Sequence, residues 1–179
     1  MKKTILSMAI ICILFGSSKA QKSWNAGAGY FGHTASYPGI IFEAERIVSA
    51  SEQKSMHLKL ATGYYIHKRY NNGLFLDASY GFRHSFKSGF FLEQYAGIGL
   101  IQTFLNADAV YTTTGDGTFT KTHRRGSLDL MPSLQFGTGF SFNNDWNIWV
   151  RPKVYWQFPH KTTSLYNFAI QIGMSVPLK

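Results

Sequence analysis

Few residues in this chain have the types and spacing to do chemistry, and each set is limited by the strands that carry it. Gly27-Ala28-Gly29-Tyr30-Phe31-Gly32 fits G-x-G-x-x-G. That spacing cradles a pyrophosphate where a strand runs into a helix and an acid follows about 20 residues on. Glu45 stands near that distance, but no helical period follows Gly32. Glycines that let neighbouring strands pack closely account for the motif better. Arg83-His84-Ser85 with Glu93 holds the residue types of a serine hydrolase. Adjacent strand residues leave by opposite faces, so His84 and Ser85 lack the hydrogen-bond reach of a base and its nucleophile. Nothing in the spacing of His33 and Asp77 joins them in one site. The sequence holds no CxxC, HExxH, P-loop or nucleophile elbow, its six histidines are dispersed and its one cysteine is Cys12. No metal, cofactor or catalytic residue is expected.

The remaining chemistry lies in charges that alternate with apolar residues. From Leu74 to Phe104 the chain reads LFLDASYGFRHSFKSGFFLEQYAGIGLIQTF. Leu76, Ala78, Tyr80 and Phe82 interleave with Asp77, Ser79, Gly81 and Arg83, and Leu92, Ala96, Ile98 and Leu100 interleave with Glu93, Tyr95, Gly97 and Gly99. This is a hairpin with one apolar and one polar face, its arms long enough to cross a bilayer at a tilt. The same cadence predicts eight strands, at 23–33, 38–50, 56–69, 74–86, 90–105, 127–142, 145–158 and 164–178. Turn chemistry separates them at Ser36–Gly39, Asn71–Gly73, Lys87–Gly89 and Asn143–Asp145. The polar parity gathers Glu43, Glu45, Lys59, Asp77, Arg83, Glu93, Asp129, Arg151 and Lys153 on one face. Pro132 and Pro152 fall on the apolar parity, where each removes a ladder donor, and local bulges are the expected accommodation.

The N-terminus has a different logic. Lys2 and Lys3 precede an apolar run from Ile5 to Phe15, and Ser18-Lys19-Ala20 places small residues at −3 and −1 before Gln21. Residues 1–20 read as a secretory signal peptide and 21–179 as one domain. Removing Lys2, Lys3 and Lys19 lowers the formal net charge from +9 to +6. In an exported chain, basic excess points to lipid phosphates and not to nucleic acid. No later apolar run approaches 18 residues, so any crossing of a membrane requires a closed barrel.

Aromatic placement decides which face is outside. Trp24, Phe82, Phe86, Phe90, Phe140, Phe142 and Trp146 gather toward one set of strand ends. Tyr30, Phe31, Tyr70, Phe104, Trp156, Phe158 and Tyr166 gather toward the other. Two girdles around an apolar band are the mark of an outer-membrane barrel, with the polar parity turned into the lumen. Arg46, Lys68, Gln94 and Gln102 interrupt the apolar face near strand ends, where long side chains can reach headgroups. From Gln21 to Lys179 the pattern resembles the small, roughly eight-stranded outer-membrane barrels of the OmpA/OmpX type. The resemblance implies an all-β fold: one antiparallel up-and-down transmembrane barrel in the outer membrane of a Gram-negative bacterium, inserted by that membrane's assembly machinery. Such barrels commonly end in an aromatic residue, where this chain has Leu178. Lipid A deacylase barrels carry His and Ser two apart on the outward face, unlike His84 and Ser85.

The functional expectation is a non-enzymatic barrel serving envelope integrity or surface contact. A narrow solute pore through the charged interior is the alternative, and a lipid A-modifying enzyme the second. Interiors of about eight strands are filled by side chains, which favours a structural charge network over a channel. The long connection from Asn106 to Gly126 is expected outside the cell as a protruding hairpin, with arms Val110–Thr114 and Thr118–Thr122 around Gly115-Asp116-Gly117. Lys121, His123, Arg124, Arg125, His160 and Lys161 would then form a basic rim, with Lys121, Arg124, Arg125 and Lys161 facing lipopolysaccharide phosphates.

Overall fold

Alternation of apolar and polar residues over a dozen positions leaves the chain one way to bury its polar parity, which is to curl the sheet around it. The computed structural model describes residues 24–34, 36–68, 71–106, 110–113, 119–122, 126–142, 146–160 and 163–178. The proposed signal peptide lies outside them. Among the described residues every element is a strand: β1 (Trp24–His33), β2 (Gly39–Ala50), β3 (Lys54–His67), β4 (Asn71–Ser85), β5 (Phe90–Leu105), β6 (Val110–Thr113), β7 (Phe119–Thr122), β8 (Ser127–Leu130), β9 (Ser133–Ser141), β10 (Asn147–His160) and β11 (Thr163–Leu178).

Neighbours in sequence pair antiparallel, and β1 pairs with β11 from Trp24↔Leu178 to His33↔Ala169, which closes the ring. β8 and β9 form a single stave, so the barrel has eight. One end carries the short turns β2–β3, β4–β5 and β9–β10, and the other carries the connection between β5 and β8. Within that connection β6 and β7 pair with each other, from Val110↔Thr122 to Thr113↔Phe119. The turn at Gly115-Asp116-Gly117 lies outside the described residues.

The two parities separate as the alternation requires. Ile40, Leu60, Leu76, Ile98, Leu100, Leu130, Leu134, Ile148, Phe168 and Ile172 are exposed on the outer surface. Ile98, near the middle of β5, is 61% exposed. A belt of this kind is untenable in water and suits hydrocarbon. Phe31 departs from the expected girdle: because Tyr30 points out, Phe31 points in and is buried against Tyr65 and Phe75.

Neither proline makes a bulge. Register runs unbroken through Met131–Pro132, with Leu100↔Leu130 and Gly97↔Ser133 on one side and Phe158↔Leu130 and Tyr155↔Ser133 on the other. Trp156 N–H donates to the Pro132 carbonyl at 3.0 Å, so even-numbered residues of β10 face the β8–β9 stave. Pro152 therefore faces that stave too, and the pairing skips Arg151 and Pro152 between Val150↔Thr138 and Lys153↔Gln135. Both missing donors fall on one seam, which absorbs them without a slip. Irregular register occurs instead at Ile47/Ser49 in β2 and Gln157/His160 in β10.

Candidate functional site: the filled lumen and the short-turn mouth

The interior begins with side chains that strand periodicity alone directs inward. Glu43 and Glu45 come from β2, Lys59 from β3, Asp77 and Arg83 from β4, Glu93 from β5, Asp129 from β8, and Arg151 and Lys153 from β10. All nine are buried. A buried charge must be paired and hydrogen-bonded to persist.

Eight of the nine fall into two groups. In the first, Arg151 Nη1 donates to Glu43 at 2.6 Å, its Nε donates to Glu93, and its Nη2 lies 3.8 Å from Glu45. Arg83 bridges Glu93 at 2.9 Å and Glu45 at 3.2 Å. Tyr95 O–H adds a bond to Glu93 at 3.2 Å. In the second group, Lys153 Nζ donates to Asp77 at 2.7 Å, and Gln135 links Asp77 at 3.1 Å to Lys59 at 2.7 Å. Lys59 thus meets an amide and the face of Tyr95, 3.8 Å from the ring centre, where a carboxylate was expected. Asp129 accepts from Ser127 at 3.0 Å.

Rings bound the charges on both sides. Toward the short turns, Arg83 lies 4.3 Å over Phe91 and Arg151 4.0 Å over Trp149. Toward the other end, Phe31, Tyr65, Phe75, Ile101, Met131 and Tyr155 are buried together, and His33 stacks on Tyr65 with ring centres 4.2 Å apart. Small residues make room for this filling. A Cβ at Gly137 would stand 2.8 Å from the Arg151 stem, and one at Gly173 would stand 2.5 Å from the Trp149 ring.

The described surface does not include the lipopolysaccharide-facing set. Arg124, Arg125 and Lys161 lie outside the described residues, and only the backbone of Lys121 is placed, in β7. Nor do His84 and Ser85 form a site: the inward residues at that position are Arg83 and its cross-strand partner Glu93.

Sequence reasoning missed one constellation. Ser55 Oγ lies 2.6 Å from His57 Nε2, and His57 Nδ1 lies 2.5 Å from Glu45 Oε1, close but without hydrogen-bond geometry. The available signal was Ser-x-His on the inward parity of β3. The residue that completes it, Glu45, sits on another strand and becomes visible only with the β2–β3 register. Among the described residues no group of His, Cys, Asp and Glu could hold a metal ion.

No protein-family model matches the chain, and no curated protein sequence matches it. Solved structures do. The outer membrane enzyme PagL is similar over 87% of this chain and 99% of its own, at 14% identity and a TM-score of 0.52. Neisserial surface protein A is similar over 91% of this chain and 99% of its own, at 8% identity and a TM-score of 0.54. The attachment invasion locus protein Ail of Yersinia pestis, solved with the heparin analogue sucrose octasulfate, is similar over 89% of this chain and 100% of its own, at 10% identity and a TM-score of 0.52. At such identities the likeness is one of architecture: the chain has the all-β, eight-stave barrel fold of the small bacterial outer-membrane proteins.

Proposed function

We propose that this protein is an integral outer-membrane barrel whose body serves envelope integrity or surface contact, and that its lumen does not conduct. The observation that carries this reading is the interior of Arg83 and Arg151 clamped among Glu43, Glu45 and Glu93, bounded by buried rings on both sides. A water-filled pore would leave those charges hydrated and their side chains mobile. Here they are desolvated and multiply bonded, as in narrow barrels filled by side chains. An N-terminal leader at residues 1–20 and the apolar belt support delivery to the outer membrane.

In this reading the connection between β5 and β8 faces outward. Lys121, Arg124 and Arg125 there, with Lys161 between β10 and β11, contact lipopolysaccharide phosphates, for which Arg has bidentate geometry. Two measurements test it. Purified protein in planar bilayers should give no steady single-channel conductance, and a deletion strain should become permeable to detergents or large antibiotics. Reproducible ion conductance by the folded barrel would overturn the closed-lumen reading in favour of a solute pore.

A further inference from the structure

At the short-turn mouth, Ser55 stands two residues into β3, with His57 on the next inward position. Residues two apart on a strand share a face, so the hydroxyl and the imidazole point into the same space. One ring nitrogen of His57 lies 2.6 Å from Ser55 Oγ and the other 2.5 Å from Glu45 Oε1. In the neutral tautomer that keeps its proton on Nδ1, beside the Glu45 carboxylate, Nε2 is free to accept from the serine. This is the order of nucleophile, base and orienting carboxylate that activates a hydroxyl, and it is recognised by geometry and not by fold.

Two independent features fit that use better than simple filling. First, β2 departs from regular register between Ile47 and Ser49, directly opposite His57 and Met56. Bulges gather at barrel rims and beside active sites, where they re-aim a side chain. Second, His57 and Glu45 are fully buried, whereas Ser55 is only half-buried at the mouth. Glu45 is also held by Arg83 at 3.2 Å, so the carboxylate is fixed before any substrate arrives. Arg83 is the cross-strand partner of Ser55 in the β3–β4 ladder, and its guanidinium is held on the inner face by Glu45 and Glu93.

We infer that Ser55 is a nucleophile that cleaves short-chain acyl esters entering from the aqueous side of the short-turn mouth. Ser55 Oγ bonds to the ester carbonyl carbon while its proton passes to His57 Nε2. The ester C–O bond breaks, and the departing alkoxide takes that proton as an alcohol. Water then attacks the acyl-Ser55 carbonyl, gives a proton to His57, and releases the carboxylic acid as the proton returns to Ser55 Oγ. Water is the only co-reactant. Arg83 stabilises the charge that develops on the carbonyl oxygen. The narrow cross-section of an eight-stave barrel limits the acyl group to short chains. The site shares Glu45 and Arg83 with the charge network that fills the barrel, while ester cleavage at Ser55 is read independently of conductance.

The test uses the folded mature chain in detergent micelles. A fluorophosphonate probe should give one adduct, mapped by mass spectrometry to Ser55, and the protein should hydrolyse p-nitrophenyl acetate. Ser55→Ala should abolish both, and His57→Gln should slow labelling by about 100-fold, the scale of a general base. An unlabelled Ser55 in protein that keeps its folded, heat-modifiable gel mobility overturns the proposal. Should His57→Gln fail to fold, Ser55→Cys gives an independent reading. A thiol paired with His57 should react with iodoacetamide at neutral pH at least about 10-fold faster than free cysteine, as imidazole-paired thiols carry a depressed pKa. A rate no greater than that of free cysteine also overturns it.

Discussion

Replacing Arg151 with methionine should destabilise the barrel by about 3–5 kcal/mol, the cost of breaking a buried pair by removing one partner. The guanidinium is fully buried, donates to Glu43 and Glu93, and lies 3.8 Å from Glu45. Methionine fills a similar volume, so little of the loss comes from a cavity. The loss comes from Glu43 and Glu93, which are left charged and buried without the guanidinium. Arg83 still holds Glu93 at 2.9 Å, so Glu43 bears the larger share. Adding Glu43→Gln should therefore recover a substantial part of the cost, with a coupling energy above about 1 kcal/mol between the two sites. The assay is urea-driven unfolding in lipid vesicles, followed by tryptophan fluorescence and by the gel shift between folded and unfolded forms. A cost below about 1 kcal/mol for Arg151→Met, the range of an exposed ion pair, would refute the picture of a desolvated lumen.

Three further perturbations probe other parts of the structure. Ile98→Arg and Leu130→Arg place charge on the lipid face and should each cost about 2–4 kcal/mol of insertion stability, measured in the same vesicles; free tolerance of both would reverse the facing of the strands. Gly173→Val drives a Cβ to 2.5 Å from both the Trp149 ring and the Ala28 carbonyl oxygen, so it should lower stability by about 1–3 kcal/mol and shift tryptophan emission, and a wild-type spectrum with unchanged stability would remove that packing. Pro132→Ala with Pro152→Ala should restore two donors to the seam between β10 and the β8–β9 stave and raise the unfolding midpoint, since unmet backbone groups in lipid outweigh the roughly 0.4–1 kcal/mol that proline saves in the unfolded chain; a lowered midpoint would mean the donors face elsewhere.

Local alternation made most of this protein legible from its residues alone. The parity of Leu76, Ala78 and Tyr80 against Asp77, Ser79 and Gly81 is a property of neighbours in sequence, and it determines which side chains share a face whatever the rest of the chain does. Strand positions, the closed sheet, and the inward placement of all nine charged residues follow from that period together with the turn residues. Other features depended on which residue of one strand faces which residue of another, and periodicity is silent on register. Lys59 pairs with Gln135 because β3 and β9 meet across the lumen, a distance no single strand encodes. Pro132 and Pro152 looked like separate defects calling for bulges, and only the ladder shows that they weaken the same seam. Nearness to the strand end suggests the outer rim for Phe31, yet alternation with Tyr30 sends it inward. The same limit explains the chemistry at the mouth. His84 and Ser85 are adjacent in sequence but point to opposite faces, while Ser55, His57 and Glu45 become a set only when the sheet brings β2 and β3 together.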